Sequence, residues 1–182
     1  MEEGLNRDLT PVGDAPGNAG LAPASDDREN TGFAPVSDIR ARFGTGEHKA
    51  SEYSPLALAF IGDAVFDLFV RTYLVEQGNT QVHKLHKRKS EIVKAEAQKN
   101  MYFAVRDVLT EEEEAVYKRG RNAKSYSTAK NASVGDYRVA TGLEALFGWL
   151  YLTEKYDRML ELLKAGFDAL NIVPVKRTDA GE

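Results

Sequence analysis

The chain of 182 residues contains no cysteine. That excludes disulfides, zinc–thiolate centres and thiol nucleophiles, and it suits a reducing cytoplasm. No apolar run approaches the ~18 residues of a membrane-spanning helix. The opening Met1-Glu2-Glu3 is acidic and leads into no apolar stretch, which argues against a secretory leader. Acidic residues scattered through the first fifty positions argue equally against an organelle transit peptide. The expected location is the cytoplasm, with no membrane partner. Also missing is a glycine-rich phosphate loop ending in Lys-Ser or Lys-Thr, since Gly44-Thr45-Gly46 is too short to be one. There is no Gly-x-Ser-x-Gly elbow, no alternating strand pattern longer than a few residues and no internal repeat. Nucleotide hydrolysis on a P-loop and serine-hydrolase chemistry are left without a basis.

The formal net charge is −4, which at first disfavours a nucleic-acid partner. The charge is unevenly spread, however. Residues 1–52 hold 10 acidic and 5 basic side chains, whereas residues 83–130 hold 12 Lys or Arg against 7 Asp or Glu. The basic stretch is compatible with RNA without demanding it.

Residues 1–50 are rich in Gly, Pro, Ala, Asp and Asn and have no hydrophobic period. They read as a disordered acidic N-terminal extension, with at most a transient helix near Val36 to Phe43. Residues 51–173 form the expected folded domain and 174–182 a frayed tail. Within the domain the pattern is helical throughout. A helix from Pro55 to about Gln77 stops at Gly78-Asn79, with Ser54 as its cap. Thr80 offers a cap for the next, which carries His83, Lys84, His86, Lys87, Arg88 and Lys89 on a basic face. A further periodic stretch runs from Ser90 to about Val108. Thr110 followed by four glutamates is a strong helix start. From Arg119 through Gly120, Arg121, Asn122, Ala123 and Lys124 to Ser125 the chain reads as a basic loop with a glycine hinge. Asp136 then caps a helix from Tyr137 to about Leu152, and Thr153 caps a last amphipathic one. Phe60, Phe66, Phe69, Phe147 and Trp149 fall at helical spacing and read as core. The fold class is all-α.

Two helices of this set contain an anomaly. The helix after Ser54 is apolar almost all the way round, which makes it central, yet it carries Asp63 directly after Gly62. Asp67 can pair with Arg71 at the (i, i+4) spacing. Asp63 has no such cation, and an unpaired carboxylate in an apolar setting is costly. Glu144, in Leu143-Glu144-Ala145-Leu146-Phe147-Gly148, repeats the problem. If the two helices pack together, Asp63 and Glu144 can share a divalent cation of the Mg²⁺ type, which prefers oxygen ligands and keeps several waters when few carboxylates bind it. Such an ion activates water and stabilises charge on a phosphodiester. On the residues alone, the favoured solution is that Glu144 merely pairs with a buried Arg or Lys.

Phe60-Ile61-Gly62-Asp63-Ala64-Val65-Phe66 resembles the signature helix of ribonuclease III domains. The wider string from Leu56 to Asp63 is similar to that of Mini-ribonuclease III, the short bacterial branch lacking a separate double-stranded-RNA-binding domain. Glu144 to Gly148 resembles the family's second acidic motif, and Arg119 to Ser125 the branch's basic loop. The resemblance extends over roughly Tyr53 to Leu170. Two positions depart from full-length ribonuclease III: Ala59 and Thr141 stand where those enzymes have further carboxylates. The short branch shares both departures.

The resemblance implies a helical, homodimeric ribonuclease III endonuclease fold that cleaves double-stranded RNA and leaves 5′-phosphate and 3′-hydroxyl ends. It assigns Asp63 and Glu144 as metal-binding catalytic residues, with Mg²⁺ as cofactor and Mn²⁺ able to replace it. The RNA backbone would be held by Lys84, Lys87, Arg88, Arg119, Arg121, Asn122, Lys124 and Ser125. The family's usual role, maturation of large-subunit (23S) ribosomal RNA, makes precursor ribosomal RNA the expected partner, with a ribosomal protein of the large subunit as a further candidate. The absent carboxylates at Ala59 and Thr141 favour an alternative: a non-catalytic RNA-binding ribosome-assembly factor of the same fold.

Overall fold

The computed structural model describes residues 35–46, 48–124 and 133–174. Among them are seven α-helices and no strand: α1 Pro35–Phe43, α2 Pro55–Val75, α3 Val82–Val93, α4 Ala95–Val105, α5 Glu111–Asn122, α6 Val134–Leu152 and α7 Tyr156–Ala169. None of these helices is long and apolar enough to cross a membrane.

Capping chemistry sets several of the ends. Ser54 accepts a hydrogen bond from the Ala57 amide, and Pro55 occupies the first position of α2, where no amide is needed. Thr110 and Glu113 form a reciprocal capping box at the start of α5. Elsewhere the expected caps are displaced. α3 begins at Val82 behind Gln81, without a side-chain cap, so Thr80 plays no such part. Ser133, not Asp136, caps α6; its hydroxyl accepts from the Asp136 amide. Thr153 caps the other end of that helix, donating to the carbonyls of Trp149 and Leu150. The periodic stretch expected from Ser90 to Val108 is broken at Lys94, whose extended backbone (φ −64°, ψ 149°) separates α3 from α4. Apolar period alone cannot show such a break, because both helices present apolar residues to the same core.

α6 is the buried axis. Eleven of its residues, from Val139 to Leu150, are inside, and it packs most extensively on α2, then on α5 and α4. Glycines permit the closest approaches. A Cβ on Gly62 of α2 would stand 1.8 Å from the Glu144 carbonyl oxygen, and one on Gly148 of α6 would stand 2.0 Å from the Leu58 carbonyl oxygen. Backbone therefore lies on backbone where these helices cross. Around the crossing, Phe66 and Phe147 meet edge to face at 5.5 Å within a core that includes Leu58, Leu146, Leu150, Met159 and Leu162.

Three expectations are corrected by this packing. Gly120 is no hinge: it lies inside α5, buried, where a Cβ would come within 2.5 Å of the Ala145 Cβ. Phe60 is not core, being 82% exposed. Residues 35–43, expected within a disordered extension, form α1, which buries Val36 and engages the Glu154 carboxylate through the Ser37 amide at 2.8 Å and its hydroxyl. Residues 1–34 and 175–182, the rest of the expected extension and tail, lie outside the described residues.

Candidate active site

The site is built where α2 crosses α6. Gly62 brings the two backbones into contact, and the next residue, Asp63, stands at the edge of the crossing on the exposed side of α2. Glu144, the residue whose carbonyl touches Gly62, sends its side chain into a partly buried position. The crossing thus places the two acids side by side.

Their electrostatics reflect this. Burial first and the neighbouring Asp63 charge second push the Glu144 carboxyl up to about 7, and only a hydrogen bond from Gln98 opposes the rise. Asp63 is also raised, first by desolvation and then by Asp67, with Lys89 acting the other way. Neither acid has an ion-pair partner among the described residues. Asp67, one turn on, behaves in the opposite manner. Despite desolvation, its carboxyl lies below the ordinary range, because Arg71 and Lys89 both hydrogen-bond it; the Lys89 contact is 2.8 Å. The expected Asp67–Arg71 pair is present, and Lys89 adds a second cation. The protein neutralises Asp67 and leaves Asp63 and Glu144 unneutralised.

Two adjoining carboxylates of raised proton affinity, without cations, match the needs of a hard divalent ion. The donors are all oxygen, and no group of three or more His, Cys, Asp or Glu suited to a metal occurs among the described residues. An all-oxygen donor set suits Mg²⁺ completed by water and does not suit zinc. His83 and His86 lie on the exposed face of α3 and join no such group.

Sequence reasoning missed Gln98 of α4. Its side-chain Nε2 donates to Glu144 Oε1 at 3.2 Å and to the Val93 carbonyl at 3.1 Å. A signal was available: Gln98 shares a helical face with Met101, Tyr102 and Val105, all buried, and an amide on such a face needs a partner.

The residues expected to hold RNA divide into groups. Lys84 and Lys87 are exposed on α3. Arg88 turns inward and donates to Gln77 Oε1 at 3.0 Å. Arg119, Arg121 and Asn122 are exposed in the last turn of α5, with Lys124 just beyond it. Arg119 also donates to the Tyr53 carbonyl at 3.0 Å. Ser125 lies outside the described residues.

The fold is a helical domain in which two carboxylates stand on crossed helices. Comparison with known proteins gives its family: the Ribonuclease III domain model matches residues 56–155, so the chain belongs to the ribonuclease III family and is an endoribonuclease. Within the family its relatives are Mini-ribonuclease 3 proteins. It is 48% identical to that of Clostridium tetani over 62% of this chain and 76% of the relative, and 50% identical to that of Enterococcus faecalis over 59% and 83%. A crystallised protein from Fusobacterium nucleatum superimposes with a TM-score of 0.61 at 31% identity, covering 64% of this chain and 96% of that one. Ribonuclease III-type enzymes generally depend on divalent metal, act on double-stranded RNA and are typically dimeric.

Proposed function

We propose that the chain cleaves double-stranded RNA by metal-dependent phosphodiester hydrolysis, with Asp63 and Glu144 as its metal-binding catalytic residues and precursor 23S ribosomal RNA as its natural substrate. The observation that carries this reading is the pairing of these two acids at the Gly62–Glu144 contact, unneutralised while Asp67 beside them is neutralised twice. When bound, a divalent cation such as Mg²⁺ or Mn²⁺ supplies charge stabilisation and an activated water. Asp63 and Glu144 would hold it, and as it binds they give up the protons that the metal-free site favours. Lys84 and Lys87 on α3, with Arg119, Arg121, Asn122 and Lys124 at the end of α5, supply cations and hydrogen-bond donors for phosphate and sugar oxygens.

Dimerisation belongs to the same reading. α2 leaves Leu56, Phe60, Leu68 and Val75 exposed along its length, although the helix is the centre of the fold. Phe60 and Leu68 are 82% and 62% exposed and share a helical face with Ala57 and Ala64. A second copy of α2 fits this apolar stripe, and two copies would place two active sites on one duplex.

The test is a cleavage time course on long double-stranded RNA with Mg²⁺, comparing the native chain with Asp63→Asn and Glu144→Gln. The native chain is expected to cut, and both variants to bind duplex while losing more than about 100-fold in rate, a loss of the size seen when transition-state charge stabilisation is removed. Equal RNA binding by all three without cleavage by any, even with Mn²⁺ or a ribosomal precursor, would put a binding role in assembly in its place.

A further inference from the structure

Gln98 is 3% exposed, and both donors of its amide are used, one on the Glu144 carboxylate and one on the Val93 carbonyl. Val93 is the last residue of α3, so its carbonyl belongs to a helix end that lacks intrahelical partners. The bond to it sets the plane of the Gln98 amide from the backbone, independently of Glu144. The orientation of that amide is also unambiguous. Turning it over would set its oxygen against the Val93 carbonyl, which can only accept. The remaining N–H therefore points at Glu144 Oε1 whatever the state of the carboxylate. Glu144 Oε2 makes no hydrogen bond among the described residues.

We infer that Gln98 is a positioning residue: anchored on the end of α3, it holds one carboxylate oxygen of Glu144 and leaves the other for the divalent cation. This rests on the metal-site reading above. The reason it matters here is the small number of protein ligands. With only two carboxylates at the site, an unrestrained Glu144 side chain would lose rotamer freedom on binding the ion, and that loss would fall directly on metal affinity. Hydrogen bonds to metal-binding groups are typically worth 10–100-fold in affinity or activity. The buried Gln98 Oε1 has no partner of its own, which sets the residue apart from one that merely satisfies its amide in a core.

The test uses the full chain and Gln98→Met, which keeps length and volume and removes the donors. Mn²⁺ binding is followed by electron paramagnetic resonance, with melting temperature and duplex-RNA affinity measured in chelator. The expected result is Mn²⁺ binding weakened about tenfold, a similar rise in the Mg²⁺ needed for half-maximal cleavage, and unchanged RNA affinity without metal. Mn²⁺ affinity within about twofold of the native chain would overturn the positioning role alone; a native chain that binds no Mn²⁺ would overturn the metal site as well. If Gln98→Met does not fold, the Gln98 side-chain amide resonances of the native chain decide. They should move on adding Mg²⁺ and again in Glu144→Gln, and resonances indifferent to both would overturn the inference.

Discussion

The carbonyl oxygen of Glu144 rests against the α-carbon of Gly62, so close that a methyl group on Gly62 would stand 1.8 Å from it. With the Gly148–Leu58 contact, this meeting of two backbones sets the separation of the helices that carry both acids.

Gly62→Ala should separate α2 from α6. The clash is with backbone, which cannot rotate away, so the loss should reach about 3 kcal/mol or more, at or beyond the upper end of the overpacking range. Urea unfolding measures it. Gly46→Ala is the control: no atom lies within 4 Å of its Cβ position, and its stability should stay within about 0.5 kcal/mol of the native chain.

The metal-free protein should depend on pH through Glu144. Its carboxyl binds a proton more tightly in the folded chain, at about 7, than at its ordinary value of 4.5. The stabilisation from that proton is fully present below the unfolded value and is lost as pH rises through about 7. Each tenfold change in proton affinity is worth about 1.4 kcal/mol, so the whole effect is about 3 kcal/mol. In chelator at pH 8, Glu144→Gln should be more stable than the native chain by up to that amount, with the gap closing towards pH 4. Denaturation at a series of pH values reads the difference, and added Mg²⁺ should narrow it at high pH.

The apolar stripe on α2 predicts a dimer that charge can dissolve. Phe60→Glu and Leu68→Glu should each yield a folded monomer with unchanged helical circular dichroism and little cleavage of duplex RNA. Sedimentation velocity at micromolar concentration distinguishes the outcomes. A variant that remains dimeric would place the interface elsewhere.

Salt dependence separates the basic residues. Lys84→Ala and Lys87→Ala should each lower the slope of log affinity against log salt by about 1, as expected for the loss of one phosphate contact. Arg88→Ala should leave the slope nearly unchanged, because its guanidinium is turned inward onto Gln77. Filter binding in chelator over a range of salt concentrations is sufficient.

Much of the domain could be read from local rules. Ser54-Pro55 and the Thr110–Glu113 box fix helix starts through hydrogen bonds spanning three residues, and such bonds form wherever the sequence occurs. The Asp67–Arg71 pair follows from one turn of helix. The acids of the site were legible because each interrupts an apolar run. The break at Lys94 and the start of α3 behind Gln81 were not, since neither residue caps through its side chain.

The sequence by itself determined that this protein is helical, where most helices lie, and that Asp63 and Glu144 lack local partners. Only the tertiary structure decided that the two acids meet, that Gln98 reaches Glu144, that Arg88 faces inward, and that Phe60 lies outside the core while Gly120 lies within it. The first set depends on periodicity and neighbours along one chain segment. The second depends on how closely and at which residues separate helices cross, and here that was set by glycines whose importance appears only when another backbone is laid against them.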